Sequence, residues 1–283
     1  SFPTRRSSDL TSEELDSIYE MDFENAVHPY YLRDGPVRAM DTIRNSITTH
    51  RGCYGDCSFC AIAVHQGRTV VSRSKASIVR EVNSIAKAKG FNGIIQDVGG
   101  PTANMYCIEC QKKLEDGVCT DRRCLGDRPC PNLRIDHSEQ INLLKQIRDV
   151  KGVRKVFVNS GIRYDMILAD KKHGNDYLND LVRYHVSGQM KIAPEHVSRR
   201  VLRTMGKPGP EFLVEFKHRF DECSERCGKE QFLTYYFIAA HPGCREDDMK
   251  ELERFCHREL KTNPEQVQVF TPTPSTVSTM MYH

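Results

Sequence analysis

The chain has no tryptophan, no long apolar run and no marked excess of either charge. The missing tryptophan decides nothing. A membrane-spanning helix needs about 18 or more consecutive apolar residues, and none is present. With 41 basic against 38 acidic residues and a net charge of +3, the balance neither argues for nucleic acid nor excludes it. The first residues do not read as a secretory leader. Residues 1–10 (SFPTRRSSDL) have no apolar segment and read as adaptor-derived, non-native sequence. Cysteine, by contrast, is abundant: twelve in 283 residues. They group at 53–60, 107–130 and 223–256 instead of spreading as a disulfide framework would. Clustered cysteines without a leader point to metal chemistry in a reducing compartment, the cytoplasm.

The first group organises the chain. Arg51-Gly52-Cys53-Tyr54-Gly55-Asp56-Cys57-Ser58-Phe59-Cys60 spaces its cysteines as C-x-x-x-C-x-x-C. Gly52 and Gly55 let the backbone turn tightly enough to aim three thiolates at one centre. Thiolates are soft ligands for iron–sulfur clusters or zinc. A protein-held cubane usually takes four cysteines, so three leave one iron open. The plainer readings are three buried structural cysteines, or three of four zinc ligands.

Around this loop the chain alternates. Strands are expected at 42–50, 93–98, 153–158, 189–193, 232–239 and 265–270, and helices at 77–89, 138–150, 176–186, 211–228 and 247–260. That pattern demands a parallel sheet, either doubly wound or a barrel. In β/α barrels the functional groups gather on loops after the strands. Here the cysteine loop, Gly99-Gly100, Glu195-His196 and His241 all follow strands, and no phosphate-binding glycine loop follows strand one. A barrel is therefore expected over 42–283, with a cysteine-rich insert at 101–135 after the second strand. Residues 11–41 read as one short helix and a linker from an upstream domain. The core reads as truncated at its C-terminal end, with no closing helix.

The cysteine loop resembles the signature of radical S-adenosylmethionine (radical SAM) enzymes. At finer grain the chain resembles the YgiQ family of that superfamily, on residues 51–60, 97–106 (DVGGPTANMY), 191–196 (KIAPEH), 229–243 and 267–281. The resemblance implies an open, partial (β/α)6 TIM-type barrel. It implies a [4Fe–4S] cluster on Cys53, Cys57 and Cys60, with S-adenosylmethionine on the open iron. It implies an electron donor such as flavodoxin or ferredoxin, and an enzyme that makes a 5′-deoxyadenosyl radical to take hydrogen from a substrate the sequence does not name. Phe59 is the hydrophobic residue before the last cysteine of the motif. Gly99 and Gly100 would meet the methionine amino group through their backbone, with Pro101 where the family usually has Glu.

Other positions are weighed on their chemistry. A carboxylate at Glu195 suits a ribose hydroxyl and an ammonium at Lys191 suits a carboxylate; a surface ion pair is the plainer reading. Ile238 is either a wall for adenine or ordinary core. His241 is a proton donor, a ligand contact or a loop histidine. Arg73 either reaches the cofactor or is solvated. Cys223, Cys227 and Cys256 read as small core residues.

The insert has few apolar residues and many charges, so it is not expected to build a core of its own. Its cysteines, Cys107, Cys110, Cys119, Cys124 and Cys130, offer another way to order it. By resemblance Cys110, Cys119, Cys124 and Cys130 match the YgiQ pattern, with Cys107 left over. A second metal centre is expected on those four, either zinc or a second Fe–S cluster. Two rival functions stand beside the main one. A methylthiotransferase acting on tRNA or protein is suggested by Gly-Arg and Ser-Arg-Ser after the loop. A non-enzymatic, metal-stabilised binding scaffold is the other.

Overall fold

The computed structural model describes residues 10–282; the adaptor-like residues 1–9 lie outside the described residues. Among the described residues nine strands occur: β1 (Ser46–Thr48), β2 (His50–Arg51), β3 (Val71–Ser72), β4 (Ile94–Ile95), β5 (Asp97–Gly99), β6 (Lys155–Val156), β7 (Gln189–Glu195), β8 (Phe232–Ala239) and β9 (Gln266–Val269). Each of the six expected strand positions holds one, with β4 and β5 sharing the second. Ile47 of β1 pairs with Val98 of β5, Ile95 of β4 with Val156 of β6, and β7, β8 and β9 follow side by side, all parallel. Backbone bonds extend these pairings. Val98 N–H donates to Phe157 O (2.9 Å), Phe157 N–H to Ile95 O (3.0 Å), and Ile162 N–H to Lys191 O (3.2 Å). The parallel strands thus run in sequence order. Among the described residues β9 does not pair with β1, so the array stays open. The antiparallel pair β2–β3 brackets the cysteine loop.

Helices bury their apolar stripes against these strands. In the helix Lys75–Lys87 the Ser74 hydroxyl caps the Ser77 N–H (3.1 Å), and Ile78 and Val82 face inward. In Pro210–Arg226 a proline opens the first turn, and Leu213, Phe216, Phe220 and Cys223 fall on one buried face. Each large side chain so enclosed contributes about 1.5–3 kcal/mol. Cys256 is buried too and Cys227 packs at the edge, as their reading as core residues requires. Among the described residues no helix is long and apolar enough to cross a membrane.

Several elements depart from expectation. Ala39–Ile43 is helical where a strand was expected to begin, and the Thr42 hydroxyl bonds back to Ala39 O (2.8 Å). Ile62–Gln66, Tyr164–Ala169 and Arg199–Met205 are helices too short for periodicity to reveal. Val277–Tyr282 is helical where no closing helix was expected. The helix Ser12–Tyr19, read as linker, docks on the domain: Leu15 is buried and Asp16 accepts the Ser74 N–H at 3.0 Å. The insert does have a core. Met105, Ile108, Leu125 and Leu133 pack with Tyr54, Val70 and Met166, enclosing Cys110 and Cys124. It borrows those partners from elsewhere in the fold, which a count of its own apolar residues could not show.

Candidate cofactor and metal site

The cysteine loop is held by its flanks. Gly52, at φ +86°, donates its N–H to Gln66 Oε1 (3.3 Å), and Cys53 N–H donates to Gly67 O (3.2 Å). Gly55 N–H reaches Cys53 Sγ at 3.3 Å. A Cβ placed on Gly55 would lie 3.3 Å from Cys53 Sγ, 3.5 Å from Cys57 Sγ and 3.4 Å from Arg163 Nη1. Two sulfurs and a guanidinium therefore converge on this bare glycine. Ser58 anchors the far side. Its N–H donates to Met205 O (2.9 Å), its hydroxyl to Thr204 O (2.6 Å), and its carbonyl accepts the Ser278 N–H (2.9 Å). Arg123 of the insert adds a bond to the same hydroxyl (2.8 Å).

Charges surround the thiols. Burial pushes Cys57 up, while Lys207 and then Arg163 favour its thiolate. Burial pushes the Cys60 thiol up to about 11. Arg163 forks onto Asp165 through Nε (2.8 Å) and Nη2 (2.6 Å), and its Nη1 stands 3.8 Å from Cys57 Sγ. Burial opposes the charge of Arg163, but Asp165 and then the two thiols outweigh it, so the guanidinium is held charged. Glu195 ends β7 at φ +69° with Oε1 3.5 Å from Lys207 Nζ. Its Oε2 is buried without a hydrogen-bond partner. Burial raises this carboxyl, and Lys207 then Arg163 oppose the shift. The set offers soft ligands, two cations and one unspent carboxylate oxygen. A cluster with a small polar co-substrate matches those donors.

Other expected residues fall both inside and outside this set. Gly99 ends β5 and Gly100 follows it, as foreseen; a Cβ on Gly100 would stand 2.6 Å from the buried His50 ring, which would have to shift. Phe59, Ile238 and His241 meet on the other flank. The Phe59 and His241 rings stand edge to face at 6.2 Å, and Ile238 packs with Val201, Met205 and Phe270. Both nitrogens of His241 are engaged, Nδ1 with Pro242 O (3.0 Å) and Nε2 with the Ser278 hydroxyl (2.7 Å). Lys191 is not brought to the group. It is exposed and lines a cleft with Lys217, Asp221 and Pro264. The register shifts between Ile192 and Glu195, so residues four apart do not share a face as in a regular strand. Arg73 is neither solvated nor at the thiols; it binds Thr48 O (2.9 Å), Ser77 (2.9 Å) and Glu81 (2.5 Å) under the Tyr19 ring. Sequence reasoning passed over Arg163 and Lys207. Arg163 follows a strand on the same side as the other loops, a signal available but unused.

The insert thiols form a second gathering. Cys110, Cys124 and Cys130 share the small core, and Cys130 N–H donates to Cys124 O (2.8 Å). The Lys113 ammonium lies over the Tyr54 ring (5.0 Å), bonds to Arg68 O and favours the Cys124 thiolate against its burial. Cys119 is half-buried beside Arg122, outside that core. Cys107 packs against the main core instead, its N–H held by Ser72 (2.9 Å). All twelve cysteines are free. Among the described residues no group of three or more His, Cys, Asp or Glu is drawn together as one metal ion would need.

The fold is that of the radical SAM enzymes. The radical S-adenosylmethionine methyltransferase TsrM from Kitasatospora setae superposes with a TM-score of 0.52 over 86% of this chain and 40% of that one, at 16% identity. The cobalamin-dependent S-adenosylmethionine radical enzyme OxsB superposes with a TM-score of 0.51 over 91% of this chain and 33% of that one, at 14% identity. In sequence the chain is close to UPF0313 proteins. It is 56% identical over 277 residues to one from Fusobacterium nucleatum, covering 98% of this chain and 49% of that protein. It is 48% identical over 274 residues to one from Methanocella arvoryzae, covering 97% and 45%. The chain thus spans about half the length of the relatives it matches. No family profile matches it.

Proposed function

We propose that this chain is the catalytic core of a radical SAM enzyme of the YgiQ family, built as an open (β/α)6 barrel with a cysteine-rich insert. The observation that carries the reading is the convergence of Cys53 Sγ, Cys57 Sγ and Arg163 Nη1 on Gly55, with Glu195 and Lys207 close by. Cys53, Cys57 and Cys60 would hold a [4Fe–4S] cluster. Such a cluster, reduced by a donor such as flavodoxin or ferredoxin, would supply the electron for reductive cleavage of S-adenosylmethionine to a 5′-deoxyadenosyl radical, the group that would take hydrogen from the substrate.

The chain's own residues bind and exclude. Lys207 and Arg163 favour the Cys57 thiolate against the burial that raises its pKa. Glu195 Oε2 is free to accept a hydroxyl of the co-substrate, and Gly99-Gly100 lets backbone approach where a side chain would press on Ser160 or His50. Phe59, Ile238, Val201 and Phe270 form the dry wall on the flank. His241, with both nitrogens used, fixes that wall and the 277–282 helix through Ser278. Cys110, Cys119, Cys124 and Cys130 would hold a second centre, zinc or a second Fe–S cluster, both of which take thiolate ligands. Anaerobic reconstitution with iron and sulfide, then dithionite and S-adenosylmethionine, tests the reading. Formation of 5′-deoxyadenosine by the wild type and none by Cys57→Ala supports it. No product from either, with iron bound, sinks it.

A further inference from the structure

Behind the thiols lies a buried relay. Asn104 clamps the backbone of Arg163, accepting its N–H at Oδ1 (2.8 Å) and donating from Nδ2 to its carbonyl (3.0 Å). The same Nδ2 lies 3.3 Å from His137 Nε2, and His137 Nδ1 lies 2.8 Å from Asp170 Oδ2. One tautomer satisfies both ends: Nε2 accepts from the amide and Nδ1–H donates to the carboxylate. The His137 ring stacks on Tyr177 with centroids 4.6 Å apart. Asp170 also accepts the N–H groups of His137 (2.9 Å), Lys172 (3.0 Å) and His173 (2.9 Å). Asn104, His137 and Asp170 are all buried, so no substrate reaches them. What the relay delivers is a fixed Arg163. Asp165 then takes Nε and Nη2 and leaves Nη1, the far corner of the guanidinium, toward Cys57 Sγ at 3.8 Å.

The geometry points to Arg163 as the residue that sets the electron affinity of a cluster held on Cys57, with Asp165 aiming it and Asn104, His137 and Asp170 as positioning residues behind it. This rests on the cluster reading of residues 53–60. Hydrogen bonds and positive charge at a ligand sulfur stabilise the more negative, reduced cluster and raise its potential; a nearby carboxylate lowers it. Asp165 therefore has two opposed effects, steering the donor while offsetting its charge.

The test is a redox titration, monitored by electron paramagnetic resonance, of the reconstituted protein without S-adenosylmethionine. Arg163→Met is expected to shift the midpoint negative. Asn104→Ala shifts it the same way by less, because the donor loosens without being lost. Asp165→Asn, which keeps an acceptor oxygen but removes the charge, shifts it positive. Arg148→Met breaks a half-buried ion pair with Asp180, away from the thiols, and is expected to leave the midpoint alone. An unchanged midpoint in Arg163→Met overturns the inference, as does an equal shift in Arg148→Met. If Arg163→Met takes up no iron, Asn104→Ala decides, and the lack of a negative shift overturns it. A wild type that binds no iron contradicts the cluster reading instead.

Discussion

The thiols of residues 53–60 and those of the insert share a residue type and little else. The first group lies where strands end, among Lys207, Arg163, Glu195 and Asp165, with its loop pinned by backbone bonds to Gly67, Met205 and Ser278. Of the second, Cys110, Cys124 and Cys130 lie among Met105, Ile108, Leu125, Leu133 and Met166, with Lys113 as the ammonium that reaches Cys124. One group is placed by the fold and surrounded by charge. The other is part of a small apolar core that it helps to fill. Chemistry that needs an exchangeable ligand and polar co-substrate suits the first setting; a fixed structural or electron-relaying centre suits the second.

The sharpest way to break this contrast is Cys57→Ala. Product formation is expected to fall to background while hydrogen exchange across 105–133 stays as in the wild type; persistent 5′-deoxyadenosine would refute the assignment. Next is Cys124→Ser, expected to lower iron or zinc per chain while the cluster signal of the first group survives. Unchanged metal content would remove the second centre. Leu125→Ala should cost about 2–5 kcal/mol of local stability. Exchange should quicken in 105–133 well before it does in the helix Pro210–Arg226, and uniform exchange would deny the insert a core of its own. Glu195→Gln should weaken S-adenosylmethionine binding by about tenfold to a hundredfold, as loss of a charged hydrogen bond of about 1.5–3 kcal/mol implies. Calorimetry on cluster-loaded protein reads this, and full affinity would leave Oε2 without a task.

The smallest effect is acid sensitivity. Burial holds His50 and His196 at about 4 instead of 6.5. Between those values the unfolded chain binds more protons, so stability is full above about pH 6.5 and declines toward pH 4. The insert at 101–135 contains no histidine. Metal-free protein is therefore expected to loosen around residues 50 and 196 before the insert does, and the reverse order in hydrogen exchange would contradict this.

Much of this was legible because it rests on spacing. Three cysteines in eight residues, six apolar runs and the turn residues after them are local patterns. The strands appeared at all six positions for that reason. What escaped rests on burial and on irregular backbone. A lysine or arginine in sequence reads as solvated, so Lys207 and Arg163 gave no sign of lying inside. Lys191 was expected at the site because an ammonium suits a carboxylate, but it is exposed on β7, and the register shifts between it and the buried Glu195. The insert looked coreless because its apolar partners, Tyr54, Val70 and Met166, come from other parts of the chain.

Ser58 carries a consequence for the order in which the molecule assembles. Its hydroxyl is tied to Thr204, 146 residues away along the chain, and its carbonyl to Ser278, further still. Closures of that length come late, because their entropy must be met before the contacts return anything. The thiols at positions 53, 57 and 60 are made early, yet their loop reaches its final shape only when the last strand and the 277–282 helix arrive. Setting the cysteine loop is thus the closing act of folding here and not its nucleus. Pulsed alkylation during refolding should find Cys57 among the last thiols to be protected, well after Cys223, which is covered by neighbouring helices; early protection of Cys57 would reverse the order.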